Sequence, residues 1–307
     1  MSTALLLSQL AVEDPHRWRQ QWQHRLSGLK DAPAIDAPLL WGFALPLLTR
    51  LQRCCETAGS RPLIALQAPV GAGKSTLARQ LQHLAAACGL RLVVASIDDA
   101  YHRWPTRQRR LAGNPFGVTR VPPGSHDPAL LLRAIAAWQG GGALRLPRFD
   151  KALRHGQGDR SSWNRWPDAD ALLLEGWLVG YEPVGPDGIS RWLAGQSSDL
   201  SEAEQAWLPH WDRALADYQP LWQCCDSVWS LQPQRWSSVL RWRLQAEARQ
   251  RRRGEPALAA TEIRALVRAS LASLPAGLYG PALSARAMAI ALLDGRRRCL
   301  EVTPALV

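Results

Sequence analysis

Ala68-Pro69-Val70-Gly71-Ala72-Gly73-Lys74-Ser75 stands between an apolar run, Pro62 to Gln67, and a helical stretch that opens at Lys74. Strand, glycine-bearing loop and helix follow in the order that a phosphate-binding loop requires. Glycines let backbone N–H groups close around phosphates, a lysine reaches the β and γ oxygens, and the next hydroxyl serves a magnesium ion. The stretch therefore predicts that ATP is bound by Ala68, Pro69, Val70, Gly71, Ala72, Gly73, Lys74, Ser75 and Thr76. Lys74 acts on the transferring group and Ser75 on Mg²⁺. Ala68 replaces the usual first glycine with the next smallest residue.

Around this loop the pattern alternates between strands and helices. A strand is expected at 62–67, a helix at 74–88, strands at 91–97 and 169–174, a helix at 128–138 that stops at Gly140-Gly141-Gly142, and a strand at 227–231. Helices at 233–252 and 261–272 and two short strands near 286–293 and 298–302 complete the series. Such alternation predicts an α/β fold of the P-loop NTPase type, a parallel sheet with helices on both faces. Residues 14–57 read as amphipathic helix carrying Trp18, Trp22 and Trp41, broken at Asp31-Ala32-Pro33 and Asp36-Ala37-Pro38. That gives a helical extension over 1–58 packed on a kinase-like core over 59–307, with the helix at 233–253 leading into a lid.

Ligands of open α/β sheets bind at the carboxyl ends of strands. Two acidic motifs fall there. Ser96-Ile97-Asp98-Asp99 leaves the second strand, which puts Asp98 one sheet position from the phosphate loop and free to accept a proton from a hydroxyl. Asp99 reads as a turn or cap residue. Ala171-Leu172-Leu173-Leu174-Glu175-Gly176 is a buried strand ending in one carboxylate, the pattern by which an acid holds Mg²⁺ or its water shell.

Between these motifs lie segments suited to an anion. Arg120 and His126 flank a rigid Pro-Pro-Gly turn, and Arg148, Asp150, Lys151 and Arg160 lie in what reads as a flexible glycine-bearing stretch. Cations so placed can neutralise a carboxylate and the moving phosphoryl group. Pairing of Asp150 and Asp159 with nearby arginines, and a structural turn role for His126, are the simpler alternatives.

Of 37 Lys and Arg residues only Lys30, Lys74 and Lys151 are lysines. A lysine kept against that bias marks a position that needs a compact ammonium, which points to Lys74 and Lys151. The net charge of +11 on 307 residues suits anionic small molecules as well as nucleic acid. The clusters Arg107–Arg110, Arg249–Arg253 and Arg296–Arg298 lack interleaved aromatics and read as solvated faces. Six cysteines without C-x-x-C spacing, no basic start before the apolar patch Ala4–Leu7, and no apolar run long enough for a membrane span lead to the expectation of a reduced, cytoplasmic protein.

Taken in order, the phosphate loop, Ser96-Ile97-Asp98-Asp99, Asn114-Pro115, Pro123-Gly124-Ser125-His126-Asp127, Pro147-Arg148-Phe149-Asp150-Lys151, Gly158-Asp159-Arg160, Trp166-Pro167, Leu174-Glu175-Gly176-Trp177, Tyr218-Gln219-Pro220-Leu221-Trp222 and Trp242 to Glu247 resemble the D-glycerate 3-kinase family. That family is related to uridine kinase, phosphoribulokinase and pantothenate kinase. The resemblance implies transfer of the γ-phosphate of ATP to the primary hydroxyl of D-glycerate, as in photorespiratory salvage, with Asp98 matching the general base and Glu175 the acid near magnesium. It implies a small-molecule partner and neither a specific nucleic acid nor a membrane; it says nothing of oligomeric state. Ala100, Ser125, Ala152 and Gln157 depart from the family pattern, so a related kinase for pantothenate, a nucleoside or another small alcohol stays open, as does a non-catalytic ATP- or nucleic-acid-binding protein.

Overall fold

A computed structural model describes residues 2–31, 34–56, 59–195, 199–254 and 257–305. The expected break at Ala32-Pro33 and the expected boundary at Ala58 lie outside them. Six strands form the main sheet: β1 (Leu63–Gln67), β2 (Leu92–Ser96), β5 (Ala171–Gly176), β6 (Ser227–Pro233), β7 (Ala287–Leu293) and β8 (Cys299–Pro304). Their order is β2-β5-β1-β6-β7-β8. All neighbours run parallel except the β7–β8 edge pair. The fold is α/β, mostly parallel, with helices on both faces.

The central strands are apolar throughout because helices cover both faces. Successive residues of β1 point to opposite layers. Ile64 and Leu66 enter a core with Leu77, Leu81, Trp229 and the N-terminal helices, whereas Leu63 and Ala65 enter a second core with Trp138, Trp211 and Trp222. The helix Pro15–Ser27 starts at Asp14, whose carboxylate accepts from the backbone of His16 and Arg17 ahead of a proline at the first turn. It turns Trp18 and Trp22 inward, and Trp18 Nε1 donates to Thr49 Oγ1 at 2.9 Å. Phe43 meets Trp229 edge-on at 5.2 Å, so the N-terminal helices share their core with the sheet.

Four expectations need correction. First, β6 continues through Pro233, and the following helix begins only at Ser238 and ends at Arg252; proline, which has no N–H to donate, is tolerated at the end of a strand. Second, the stretch read as flexible between Arg148 and Arg160 contains an antiparallel hairpin, β3 (Leu144–Asp150) and β4 (Asp159–Trp166). Pro147 and a bulge at Arg148/Phe149 hide its alternation. Third, β5 starts at Ala171 and ends at Gly176, two residues later at each end than the expected 169–174, and it includes Glu175 as the strand-end motif expects. Fourth, β5 lies between β1 and β2, which sets Asp98 two sheet positions from the phosphate loop, with Glu175 in between. The helices Ser2–Gln9, Trp104–Arg110, Gly185–Gly195, Glu202–Leu215 and Ala276–Arg286 are not marked by the alternation.

Candidate active site

The loop after β1 has the backbone of an anion cradle. Gly71 and Gly73 adopt φ of +77° and +99°, open to glycine at little cost. A Cβ on Gly71 would lie 2.7 Å from the backbone nitrogen of Arg243, so the helix Ser238–Arg252 rests directly on the loop. Gly71 O accepts Arg297 Nε at 2.7 Å, while Arg297 Nη2 donates to Trp242 O at 3.0 Å and the guanidinium stacks on the Trp242 ring. Arg297, which the sequence places on a solvated face, instead fastens this loop. Only the three-dimensional return of the β7–β8 turn reveals it.

The next residues bring in the acids. The helix Lys74–Ala86 places Ser75 Oγ 2.9 Å from Glu175 Oε1, and Lys74 Nζ lies 3.8 Å from Glu175 Oε2. Glu175 is buried, and Oε2 has no hydrogen-bond partner among the described residues. A hydroxyl and an undersatisfied carboxylate side by side are hard oxygen donors of the kind Mg²⁺ takes when its other positions are filled by water and phosphate. The residues present therefore fit the ion and the triphosphate.

Asp98 sits in a single 3₁₀ turn, Ile97–Ala100, that Ser96 Oγ caps by accepting Asp98 N–H. Tyr101 and His126 form an isolated antiparallel bridge, flanked by His102 N donating to Ser125 O and Asp127 N donating to Ala100 O. That bridge brings two distant motifs together: His126 Nε2 comes within 3.6 Å of Asp98 Oδ1, and Lys151 Nζ within 3.8 Å of Asp98 Oδ2. Burial pushes the Asp98 carboxyl up, but the His126 N–H and the Lys151 and Lys74 charges outweigh it and hold the group well below the usual carboxylate range. Asp98 is thus ionised at neutral pH. Burial keeps His126 below its ordinary value despite Asp98, so its imidazole is neutral. Asp99 does something else. Its Oδ1 accepts the backbone N–H of Phe149 at 3.1 Å and pins the hairpin beneath the site.

The six substrate-side candidates separate. Lys151 reaches Asp98 from the hairpin turn. Arg120 is 8% exposed, its Nη1 lacks any hydrogen-bond partner, and it forms no ion pair among the described residues. The next residue, Val121, has φ of +93°, a strained conformation for a β-branched residue. Arg160 is already paired, with Nη2 donating to Asp127 Oδ2 at 2.9 Å and Nε to Tyr101 O at 2.7 Å. Arg148 points outward from β3 into solvent. Asp150 accepts the backbone N–H of Ala152 at 2.8 Å and so closes the turn that carries Lys151. His126 has no exposed surface and faces Asp98.

Arg107 likewise departs from the reading of a solvated face. It is fully buried among Tyr101, Trp104 and Phe149, and donates to the carbonyls of Gln157 and Gly158. Burial lowers its pKa to about 10. No local sequence signal separates it from Arg109 and Arg110; Tyr101 and Trp104 lie just upstream, but Phe149 and the carbonyls of Gln157 and Gly158 come from the distant hairpin. Among the described residues no helix is long and apolar enough to cross a membrane.

No protein-family model matches the chain. It is 32% identical over 212 residues to the uncharacterised kinase mug58 of Schizosaccharomyces pombe, an alignment spanning 66% of this chain and 75% of that protein. It is 28% identical over 212 residues to the chloroplastic D-glycerate 3-kinase of Arabidopsis thaliana, covering 66% of this chain and 44% of that longer protein. Among solved structures, D-glycerate 3-kinase from Cryptococcus neoformans superposes with a TM-score of 0.73 at 23% identity, over 84% of this chain and 96% of that one, which shows a common fold. With a phosphate loop, a flanking strand-end carboxylate and these relatives, the chain belongs to the P-loop kinase family that includes D-glycerate 3-kinase.

Proposed function

We propose that this kinase transfers the γ-phosphate of ATP to the primary hydroxyl of D-glycerate, giving 3-phospho-D-glycerate. The observation that carries the acceptor is Arg120, a buried guanidinium without a counter-ion among the described residues. An unpaired buried charge is costly, and a carboxylate from outside the chain is the natural complement to its planar fork. Arg120 lies within electrostatic reach of Tyr101, whose ring stacks on His126 beside Asp98. A nucleoside would leave that charge unanswered.

Asp98 is the base on this reading. Its Oδ2 takes the proton of the acceptor hydroxyl as the oxygen bonds to the γ-phosphorus and the bond to the β-γ bridging oxygen breaks. Lys151, compact and 61% exposed, follows the charge from the carboxylate to the transferring phosphoryl group. Lys74 and the loop N–H groups hold the triphosphate in line. Ser75 and Glu175 would hold Mg²⁺, which supplies neutralisation of the β and γ oxygens. Arg148, exposed on β3, serves as a rim charge.

The test is ADP release measured by a coupled assay across D-glycerate, pantothenate, uridine and ribulose 5-phosphate, with the phosphorylated carbon assigned by NMR. Turnover of D-glycerate with phosphate on C3 is expected. Release of ADP with a neutral nucleoside and none with D-glycerate overturns the assignment.

A further inference from the structure

Tyr218 contributes to the site without facing it, and nothing in the phosphoryl-transfer reading uses it. Its hydroxyl oxygen receives two backbone donors, Gly124 N–H at 3.1 Å and His126 N–H at 3.4 Å. Both lone pairs are then engaged, and the one hydroxyl proton remains to be given. The acceptor is His126 Nδ1 at 3.0 Å. Ser125 Oγ also lies 3.3 Å from Nδ1, but its proton goes to Pro122 O at 2.7 Å. Nδ1 is therefore an acceptor, and a neutral imidazole must carry its proton on Nε2.

Nε2 is buried and has no hydrogen-bond partner within ordinary distance among the described residues. It faces Asp98 Oδ1 at 3.6 Å, a separation that the approach of an acceptor can close. The ring cannot turn away. Tyr101 stacks on it at 4.2 Å with 17° between planes, and Tyr218 meets it edge-on at 5.9 Å. The ionisable groups around it are Asp98, Tyr101, Tyr218 and, acting through charge alone, His102 and Arg107.

We propose that Tyr218 and His126 are positioning residues for Asp98: Tyr218 fixes the Nε2–H tautomer, Nε2–H engages Oδ1, and Oδ2 is left turned toward the acceptor hydroxyl. His126 keeps its proton throughout; the transferred proton resides on Asp98. The inference rests on Asp98 being the base.

Four variants test it: Tyr218→Phe, His126→Gln, whose amide nitrogen stands near the place of Nε2, His126→Asn, whose amide stands near Nδ1, and Asp98→Asn. Tyr218→Phe and His126→Asn are expected to lower kcat about tenfold to a hundredfold, with the KM for ATP changed less than about threefold. His126→Gln should recover most of the loss. In His126→Asn the acidic limb of the kcat profile should move to higher pH, because Asp98 loses a donor. Imidazole ¹⁵N spectra should show a single Nε2–H tautomer in the parent and a mixture in Tyr218→Phe. Equal losses in the two His126 variants with an unmoved pH profile, or a parental tautomer in Tyr218→Phe, overturn the proposal. Asp98→Asn separates the readings: full activity there removes the base and this pair together, whereas an inactive Asp98→Asn beside fully active Tyr218 and His126 variants removes the pair alone.

Discussion

Ser75 Oγ donates to Glu175 Oε1 at 2.9 Å, joining the first turn after the phosphate loop to the end of β5 across 100 residues. The bond holds both oxygens on one side of the site. It also leaves Glu175 Oε2 facing Lys74 at 3.8 Å without a hydrogen bond. A metal ion that enters here gains a preset pair of donors and relieves a buried, undersatisfied oxygen.

Glu175→Gln keeps the shape and removes the charge. The Mg²⁺ concentration giving half-maximal rate should rise at least about tenfold, while the thermal midpoint stays near that of the parent or increases. Titration of Mg²⁺ at fixed ATP reads this directly. An unchanged Mg²⁺ dependence would move the ion away from β5. Lys74→Ala, in contrast, should abolish turnover at every Mg²⁺ concentration while the fold persists.

Gly176 follows that carboxylate for a steric reason. A Cβ there would lie 2.5 Å from Ile97 Cγ2 and 2.8 Å from Val179 Cγ2, and Ile97 precedes Asp98. Gly176→Ala should cost about 1–3 kcal/mol of stability through overpacking, readable by denaturant unfolding. It should also lower kcat, since the 3₁₀ turn that carries Asp98 must shift to make room. Parental stability and kcat together would show that the turn tolerates displacement.

The parts legible in the sequence are those in which one short segment carries its own signal. The phosphate loop, the strand ends at Asp98 and Glu175, and the pairing of strands with helices all depend on local glycines, apolar runs and caps. Long-range geometry is not written that way. Nothing near residue 171 says that β5 inserts between β1 and β2. Nothing near Arg107 says that Phe149 and two carbonyls of a distant hairpin will close over it. The hairpin β3–β4 hides behind Pro147 and a bulge, and Tyr218 gives no local hint of the histidine it orients. The arginine-rich composition also hides particular arginines: Arg120, Arg160, Arg107 and Arg297 look alike in sequence, yet one is unpaired, one is paired with Asp127, and two are bound to carbonyls.

Arg120 and Arg148 should therefore differ sharply as variants. Arg120→Met is expected to raise the KM for D-glycerate by a factor corresponding to about 1.5–3 kcal/mol, the range for a lost charged hydrogen bond, with the KM for ATP little changed. Arg120→Lys should recover only part of this, because an ammonium cannot give two parallel bonds. Arg148→Met should stay within about twofold of the parent, as suits an exposed rim charge. Steady-state kinetics varying each substrate in turn decides between anchor and rim; equal effects on both substrates would assign Arg120 to the triphosphate.

Asp98 and Asp99 are neighbours in sequence with opposite duties. Asp98→Asn should lower kcat by about 10²–10⁴, roughly 3–5 kcal/mol of transition-state stabilisation, with ATP affinity nearly unchanged. Asp99→Asn keeps an acceptor for Phe149 N–H and should lose far less. The pH dependence follows from the sign of the Asp98 shift. Because its carboxyl is held below the usual carboxylate range, the base is already deprotonated throughout about pH 5–7, so Asp98 contributes no acidic limb to kcat/KM there. Lys151→Met removes one of the charges responsible; the carboxyl rises toward its ordinary value, and the limb should move upward in pH as kcat falls. A profile for Lys151→Met that coincides in shape with the parent would detach Lys151 from Asp98. Greater damage from Asp99→Asn than from Asp98→Asn would shift the base by one residue and with it the whole alignment of acceptor and phosphate.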